Sequence, residues 1–167
     1  LSPGLIEEIK QIIFSAAVSS EAYAIKRVSF FSGKKIRYGD WSADKVVRLF
    51  RRLATIRFTP SMVHEHLIGY QRLATLKQVI FHNTMKDMSQ VLMKLESYSS
   101  YGAQLAYQQH KKSSLLKAIG HSFWCFIRGY LLRLGFLDGR EGFILAISNA
   151  LGVFYRYVKL IYLYELG

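Results

Sequence analysis

Cysteine is almost missing from this sequence. Cys125 is the single one in 167 residues, so an internal disulfide is excluded and a reducing compartment fits. No second cysteine stands near it to start a zinc site. The glycines never form a phosphate-cradling loop of the nucleoside-triphosphate or dinucleotide kind. There is no Gly-x-Ser-x-Gly elbow for a serine nucleophile. No apolar run reaches the length of a membrane-spanning helix without a charge. No internal repeat and no low-complexity linker is visible. Acidic residues are also scarce: 11 against 23 lysines and arginines, for a net charge of +12.

What is present is apolar as well as basic. Half of the residues are hydrophobic (51%), which separates the chain from a disordered basic tail. The length suits one ordinary domain with a core of useful size. A folded protein with this excess of positive charge points to an anionic partner: nucleic acid, acidic lipid or a phosphorylated glycan. Leu1 begins neither a signal peptide nor a natural reading frame, so a fragment or truncated frame is expected.

The chain opens with helix signals. Ser2 is an N-cap candidate, Pro3 fits the first helical position, and Glu7 and Glu8 lie toward the positive end of the dipole. Leu5, Ile9, Ile12 and Ile13 form one apolar face. Ala22 to Ser29 reads as a strand, with a hairpin through Ser32-Gly33 after it. Val46 to Phe50 and Ile56 to Phe58 are further strand candidates. The first third is thus mixed α/β and resembles the second half of a larger sheet.

From Thr84 the period becomes helical, through Met85, Met88, Val91, Leu92 and Leu95. That methionine stripe reads as packing. A pause is expected near Tyr98-Ser99-Ser100, with resumption through Leu105. Leu115 to Leu134 is a further helix. Phe143, Ile147, Leu151, Phe154, Val158 and Ile161 mark the last. Between these two lies a hinge. Gly135 is expected as a left-handed C-cap, and Asp138-Gly139 as a turn in which Asp138 caps the next helix. Arg133 and Arg140 flank the hinge, and Arg156 and Lys159 flank the last apolar stripe. Basic residues and tyrosines beside apolar helices suit a membrane surface. A helical hairpin packed on its own domain is the plainer alternative.

The run Gly135-Phe-Leu-Asp-Gly-Arg-Glu-Gly-Phe143 resembles the C-terminal signature of a branch of the family 2 glycosyltransferases, those adding glucose to the heptose region of the lipopolysaccharide inner core. Three upstream stretches extend the resemblance in order: Gly39-Asp-Trp-Ser-Ala-Asp-Lys-Val-Val-Arg-Leu-Phe-Arg-Arg52, Val63-His-Glu65 and Tyr98-Ser-Ser-Tyr-Gly-Ala103. It implies the acceptor-side half of a GT-A-like domain over residues 1–83. A helical region with amphipathic, membrane-surface helices follows over 84–167.

The same resemblance selects Glu65 as the general base, because inverting transfer needs a carboxylate to accept the acceptor's hydroxyl proton. A surface glutamate paired with Arg57 or Arg72 is the alternative. Trp41, Arg48, Arg51 and Arg52 become candidates for holding the acceptor, the ring by stacking on a sugar and the guanidinium groups by gripping anionic oxygens. Trp41 could equally belong to a core. His64 and His82 are weaker candidates for the donor diphosphate or a metal. His64-Glu-His66 alone is a poor metal signal.

In the family an Asp-x-Asp motif binds a divalent cation, Mg or Mn, with the sugar nucleotide, and it would precede Leu1. This sequence contains no such motif. Sugar-nucleotide binding and transfer therefore need the missing half, and no metal site is assigned here. The expected partners are the lipopolysaccharide core and anionic lipid at the cytoplasmic face of a bacterial inner membrane, where the protein would be peripheral. The competing reading is a non-catalytic basic module for a membrane surface or nucleic acid. Neither a basic recognition helix nor a single-strand motif stands out, which counts against nucleic acid.

Overall fold

The computed structural model describes residues 1–15, 20–42, 44–59, 66–85 and 87–166. These residues are mixed α/β and divide into two compact units: residues 1–28 with 43–82, and 29–42 with 83–167.

In the first unit, helix α1 (Pro3–Phe14) is capped by the Ser2 hydroxyl, which accepts from the Leu5 N–H. Leu5 is fully buried, and Ile9 and Ile12 join it against Tyr23, Ile25 and Leu76. Ile13, expected on that face, is exposed. It lies just outside the stripe that three turns of helix can bury. Glu8 has a more specific task than meeting the helix dipole. Its carboxylate accepts from the backbone N–H groups of Lys77 and Gln78.

Those two residues belong to the longest strand, β6 (Leu73–Met85), for which no strand was expected. The helical period read from Thr84 and Met85 begins later, because Asp87 caps helix α2 by accepting from the Gln90 N–H. Strand β1 (Ala22–Phe31) pairs with β6 and, antiparallel, with β3 (Asp44–Phe50). Residues 22–25 of β1 are buried without alternation, as befits a strand covered on both faces. Strands β4 (Arg57–Phe58) and β5 (Leu67–Ile68) make a separate antiparallel pair.

In the second unit, the end of β1 pairs with β2 (Lys34–Lys35) through Ser32-Gly33, where both residues have positive φ. Helix α2 (Met88–Gln108) runs on through Tyr98-Ser99-Ser100 without the expected pause. Ser99 turns its hydroxyl back to the Glu96 carbonyl, so the polar pair is accommodated inside the helix. Helix α3 (Leu115–Ile127), capped by Ser114, passes into a wider π-helical turn over Arg128–Leu132. A 3-10 turn (Gly135–Asp138) leads into α4 (Arg140–Glu165), which packs on both α2 and α3.

The hinge differs from its expected form in two ways. The left-handed residue is Leu134 (φ 58°), not Gly135. Gly135 is needed for closeness instead: a Cβ there would stand 2.6 Å from the Gly129 carbonyl oxygen. Gly142 repeats the arrangement, where a Cβ would stand 1.9 Å from the Gly135 carbonyl oxygen. Asp138 does not cap α4, whose N-cap is Gly139 with no side-chain bond. Its buried carboxylate accepts from the backbone N–H groups of Arg37 (3.0 Å) and Tyr38 (2.8 Å). Lys34 donates to the Asp138 carbonyl (2.8 Å) and to Glu141 (2.7 Å). Asp40 completes the clasp by accepting from Arg128 (3.2 Å) and Arg133 (2.5 Å).

The apolar stripe expected on α4 faces outward at Phe143, Ile147 and Leu151, which are exposed. The buried seam is Gly142, Leu145, Ala146, Ala150 and Leu160. Small residues at that seam let the helix axes approach closely, so the larger ones are left outside.

Two outcomes follow. Gly142→Ala should cost at least about 1–3 kcal/mol in chemical denaturation, because backbone atoms must move to admit the methyl group. The second concerns Glu141, whose carboxyl is held down to about 2 from 4.5, chiefly by the Lys34 hydrogen bond. A depressed carboxyl adds stability above its ordinary value and loses that contribution as pH falls through the folded value. The stability gap between the wild-type chain and Glu141→Gln should therefore be widest above about pH 5 and close toward about pH 2. A gap independent of pH would break the assignment.

Candidate functional site

Arg48, Arg51 and Arg52 lie in the first unit. All three are exposed, Arg48 on β3 and the other two just beyond it. No carboxylate among the described residues pairs with any of them, whereas Arg27 on the neighbouring strand is closed on Asp44. Exposed guanidinium groups on a strand and its exit can bind carboxylate or phosphate oxygens in bidentate fashion.

Glu65 and His64 fall outside the described residues. The positions that bracket them are fixed. The Thr59 N–H donates to the His66 carbonyl (2.9 Å), and the His66 N–H donates to the Thr59 hydroxyl (3.0 Å). β4 and β5 continue this pairing through Phe58 with Leu67 and Arg57 with Ile68. At the base, Gly69 has φ +89°, and a Cβ there would overlap the Thr55 carbonyl oxygen at 1.8 Å. His82 is half-buried near the end of β6. Among the described residues no three His, Cys, Asp or Glu side chains gather to hold a metal ion.

Trp41 lies in the second unit, in a 3-10 turn over Gly39–Trp41, half-buried against the cluster of Phe31, Ile36, Val91 and Leu145. Beside it is a cavity of about 10 Å³, bounded by Asp40, Gly129, Gly135 and Asn149. That space holds no more than a water molecule. The matches at Gly39-Asp-Trp41 and around Asp138 therefore meet in a packed clasp.

The four basic residues expected at a membrane surface divide. Arg133 is tied to Asp40. Lys159 is half-buried, donating to Glu96 (2.7 Å), Ser99 (2.9 Å) and Ser100 (2.7 Å). That bond, above all, holds the Glu96 carboxyl below its ordinary value. Arg140 is largely exposed beside Glu141. Arg156 is exposed and lies over the Tyr157 ring.

An amphipathic helix was expected over Leu115 to Leu134, but its apolar residues were not named. Leu115, Leu116, Ile119 and Phe123 are exposed along one face of α3, with Leu116 at 80% and Phe123 at 65%. Leu132, Phe136 and Leu137 are also exposed on the hinge. The signal was available in the period of Leu115, Ile119 and Phe123, but not the direction in which that face would point. Cys125 is buried in α3, and burial pushes its thiol above the ordinary value, which does not suit a nucleophile.

No family model matches the chain, and no solved structure matches it. It is similar to curated proteins named uncharacterized glycosyltransferase. One from Rickettsia prowazekii (strain Madrid E) is 27% identical over 169 residues, covering 96% of this chain and 58% of the relative. One from Rickettsia typhi is 26% identical over the same extent, again 96% and 58%. A third, from Rickettsia bellii, is 27% identical over 89 residues, covering 53% of this chain and 30% of its own length. The chain spans somewhat more than half the length of the first two relatives.

Proposed function

We propose that these residues form the acceptor-binding and membrane-associating portion of a glycosyltransferase. The single observation that carries the transferase reading is the similarity to proteins of that name along 96% of the chain. The finer assignment rests on the ordered sequence matches: an inverting family 2 enzyme that passes a hexose, glucose from UDP-glucose, to heptose of the lipopolysaccharide inner core. The donor site with its divalent cation belongs on residues other than these. The enzyme would work at the cytoplasmic face of the inner membrane as a peripheral protein.

In this reading Glu65 accepts the proton of the acceptor hydroxyl as that oxygen bonds to the anomeric carbon. The bond from that carbon to the nucleoside diphosphate breaks on the opposite side, and the configuration inverts. Arg48, Arg51 and Arg52 hold anionic oxygens of the acceptor. Trp41, half-buried, supports the clasp.

The exposed apolar face of α3 and the hinge supports attachment to a lipid surface, since contiguous exposed patches of this kind mark interaction sites. Helix α4 is, by length and composition, long and apolar enough to cross a membrane. Its burial against α2 and α3 and its charges Arg156 and Lys159 favour an in-plane position.

Two measurements test these assignments. In a protein that also carries the donor half, Glu65→Gln should retain donor binding and lose about 10²–10⁴-fold in transfer. Near-normal transfer would remove Glu65 from the mechanism. Leu116→Ser with Phe123→Ser should cut co-sedimentation with vesicles while the circular dichroism spectrum stays unchanged. Undiminished binding would move the contact elsewhere.

A further inference from the structure

The ends of α2 and α3 and the C-terminal half of α4 enclose a groove of about 550 Å³. Its rim carries Lys111, Lys112, Lys117, His121 and Arg156, and no acidic side chain lines it. All five are exposed. Among the described residues, none of the four fixed cations has a carboxylate partner, although Lys34, Arg128, Arg133, Arg140 and Lys159 of the same unit all have one. Four neighbouring cations repel one another, and among the described residues no carboxylate pairs with them. A dianion in the groove would relieve that repulsion.

The groove is also shaped. The His121 and Tyr157 rings stack with centroids 4.7 Å apart and planes within 3°. The Arg156 guanidinium carbon lies 4.9 Å from the centre of the same tyrosine ring. The aliphatic part of Arg156 crosses α2 at Gly102, where a Cβ would stand 2.7 Å from the arginine Cδ. Arg156 is thereby placed by a missing side chain on one helix and a ring on its own. The volume suits a small headgroup. A phosphomonoester brings a charge of about −1.5 to −2 and three acceptor oxygens.

Helix α3 connects this groove to a lipid surface. On a helical projection, Lys117 and His121 lie on the side of the buried pair Ala118 and Cys125. Leu115, Leu116, Ile119 and Phe123 occupy the outward face. An occupant that satisfies both faces is a phosphate on an amphiphile, whose acyl chains take the apolar face. Nucleic acid would leave that apolar face unmet.

We infer that this groove binds a phosphomonoester headgroup carried by a membrane lipid. The groove uses none of the residues proposed for the acceptor, and the inference rests on the membrane reading of α3 only for the carrier of the phosphate.

The test uses the full chain with vesicles of phosphatidylcholine containing either phosphatidic acid, a phosphomonoester, or phosphatidylglycerol, a phosphodiester, at matched surface charge. Phosphatidic acid should bind the chain several-fold more tightly. The triple variant Lys111→Gln, Lys112→Gln, Lys117→Gln should lose at least about tenfold in that binding and lose the preference. The charge-matched control Lys10→Gln, Lys26→Gln, Lys77→Gln, in the other unit, should keep the preference. Binding without preference would overturn the headgroup site and leave the membrane attachment of α3 standing. Equal affinity for soluble glycerol 3-phosphate would overturn the lipid as carrier. Displacement by an oligonucleotide at equal phosphate concentration would do the same. Equal losses in the two triple variants would show that only net charge matters, which also overturns the site.

Discussion

The helical unit depends on one buried carboxylate. Asp138 turns inward and accepts two backbone N–H groups from Arg37 and Tyr38, a hundred residues earlier in the chain. A segment without regular structure has backbone donors to satisfy, and an ionised acceptor does so more strongly than a neutral one. The bond requires the chain at 135–142 to come very close to its neighbours. Gly129, Gly135 and Gly142 supply that closeness, each where a Cβ would press on a backbone or carboxylate oxygen. The left-handed turn then falls on Leu134, at a cost of about 1–2 kcal/mol, because glycine is already required one residue later.

This explains why the hinge was legible in outline and misread in detail. Glycine and aspartate in a short run signal a turn by local rules, and there is a turn. Their particular roles are set by residues 34–40, which no local rule brings near. The same limit applied to β6. Its sequence carries few of the alternations that mark a strand, and it is a strand because β1 pairs with it and Glu8 bonds its backbone. By contrast, the cap at Ser2, the hairpin at Ser32-Gly33 and the strand at Val46 were readable, since short-range geometry decides each of them. Trp41 could be read either as a sugar platform or as core, and its packing against Phe31 and Leu145 is a tertiary fact.

Charge sorts in the same way. A count of basic residues cannot distinguish those that brace the fold from those left open. Arg133 and Lys159 were expected to face a membrane, yet each closes an internal bond. Lys111, Lys112 and Lys117 attracted no notice in the sequence because they form no motif. They matter because two helix ends bring them beside Arg156, a spacing of roughly forty residues. Four of the second unit's cations are thereby gathered at one groove.

On the proposed membrane reading, that concentration bears on how α4 would lie. A helix crossing the hydrocarbon would carry Arg156 and Lys159 inward, and each mid-bilayer charge costs a few kcal/mol even on the mildest scales. Lys159 would also bring Glu96 and two hydroxyls, because it is bonded to all three. Lying in the plane of the surface removes that cost. The large residues Phe143, Ile147 and Leu151 already face out from the small-residue seam, and the outward leucines and phenylalanine of α3 do likewise. Apolar side chains can then enter the headgroup boundary while Lys117 and Arg156 stay at the depth of the phosphates. The small residues of the α4 seam therefore have two effects: they bring the helices together, and they leave the bulky residues outside, where the proposed membrane surface would cover them.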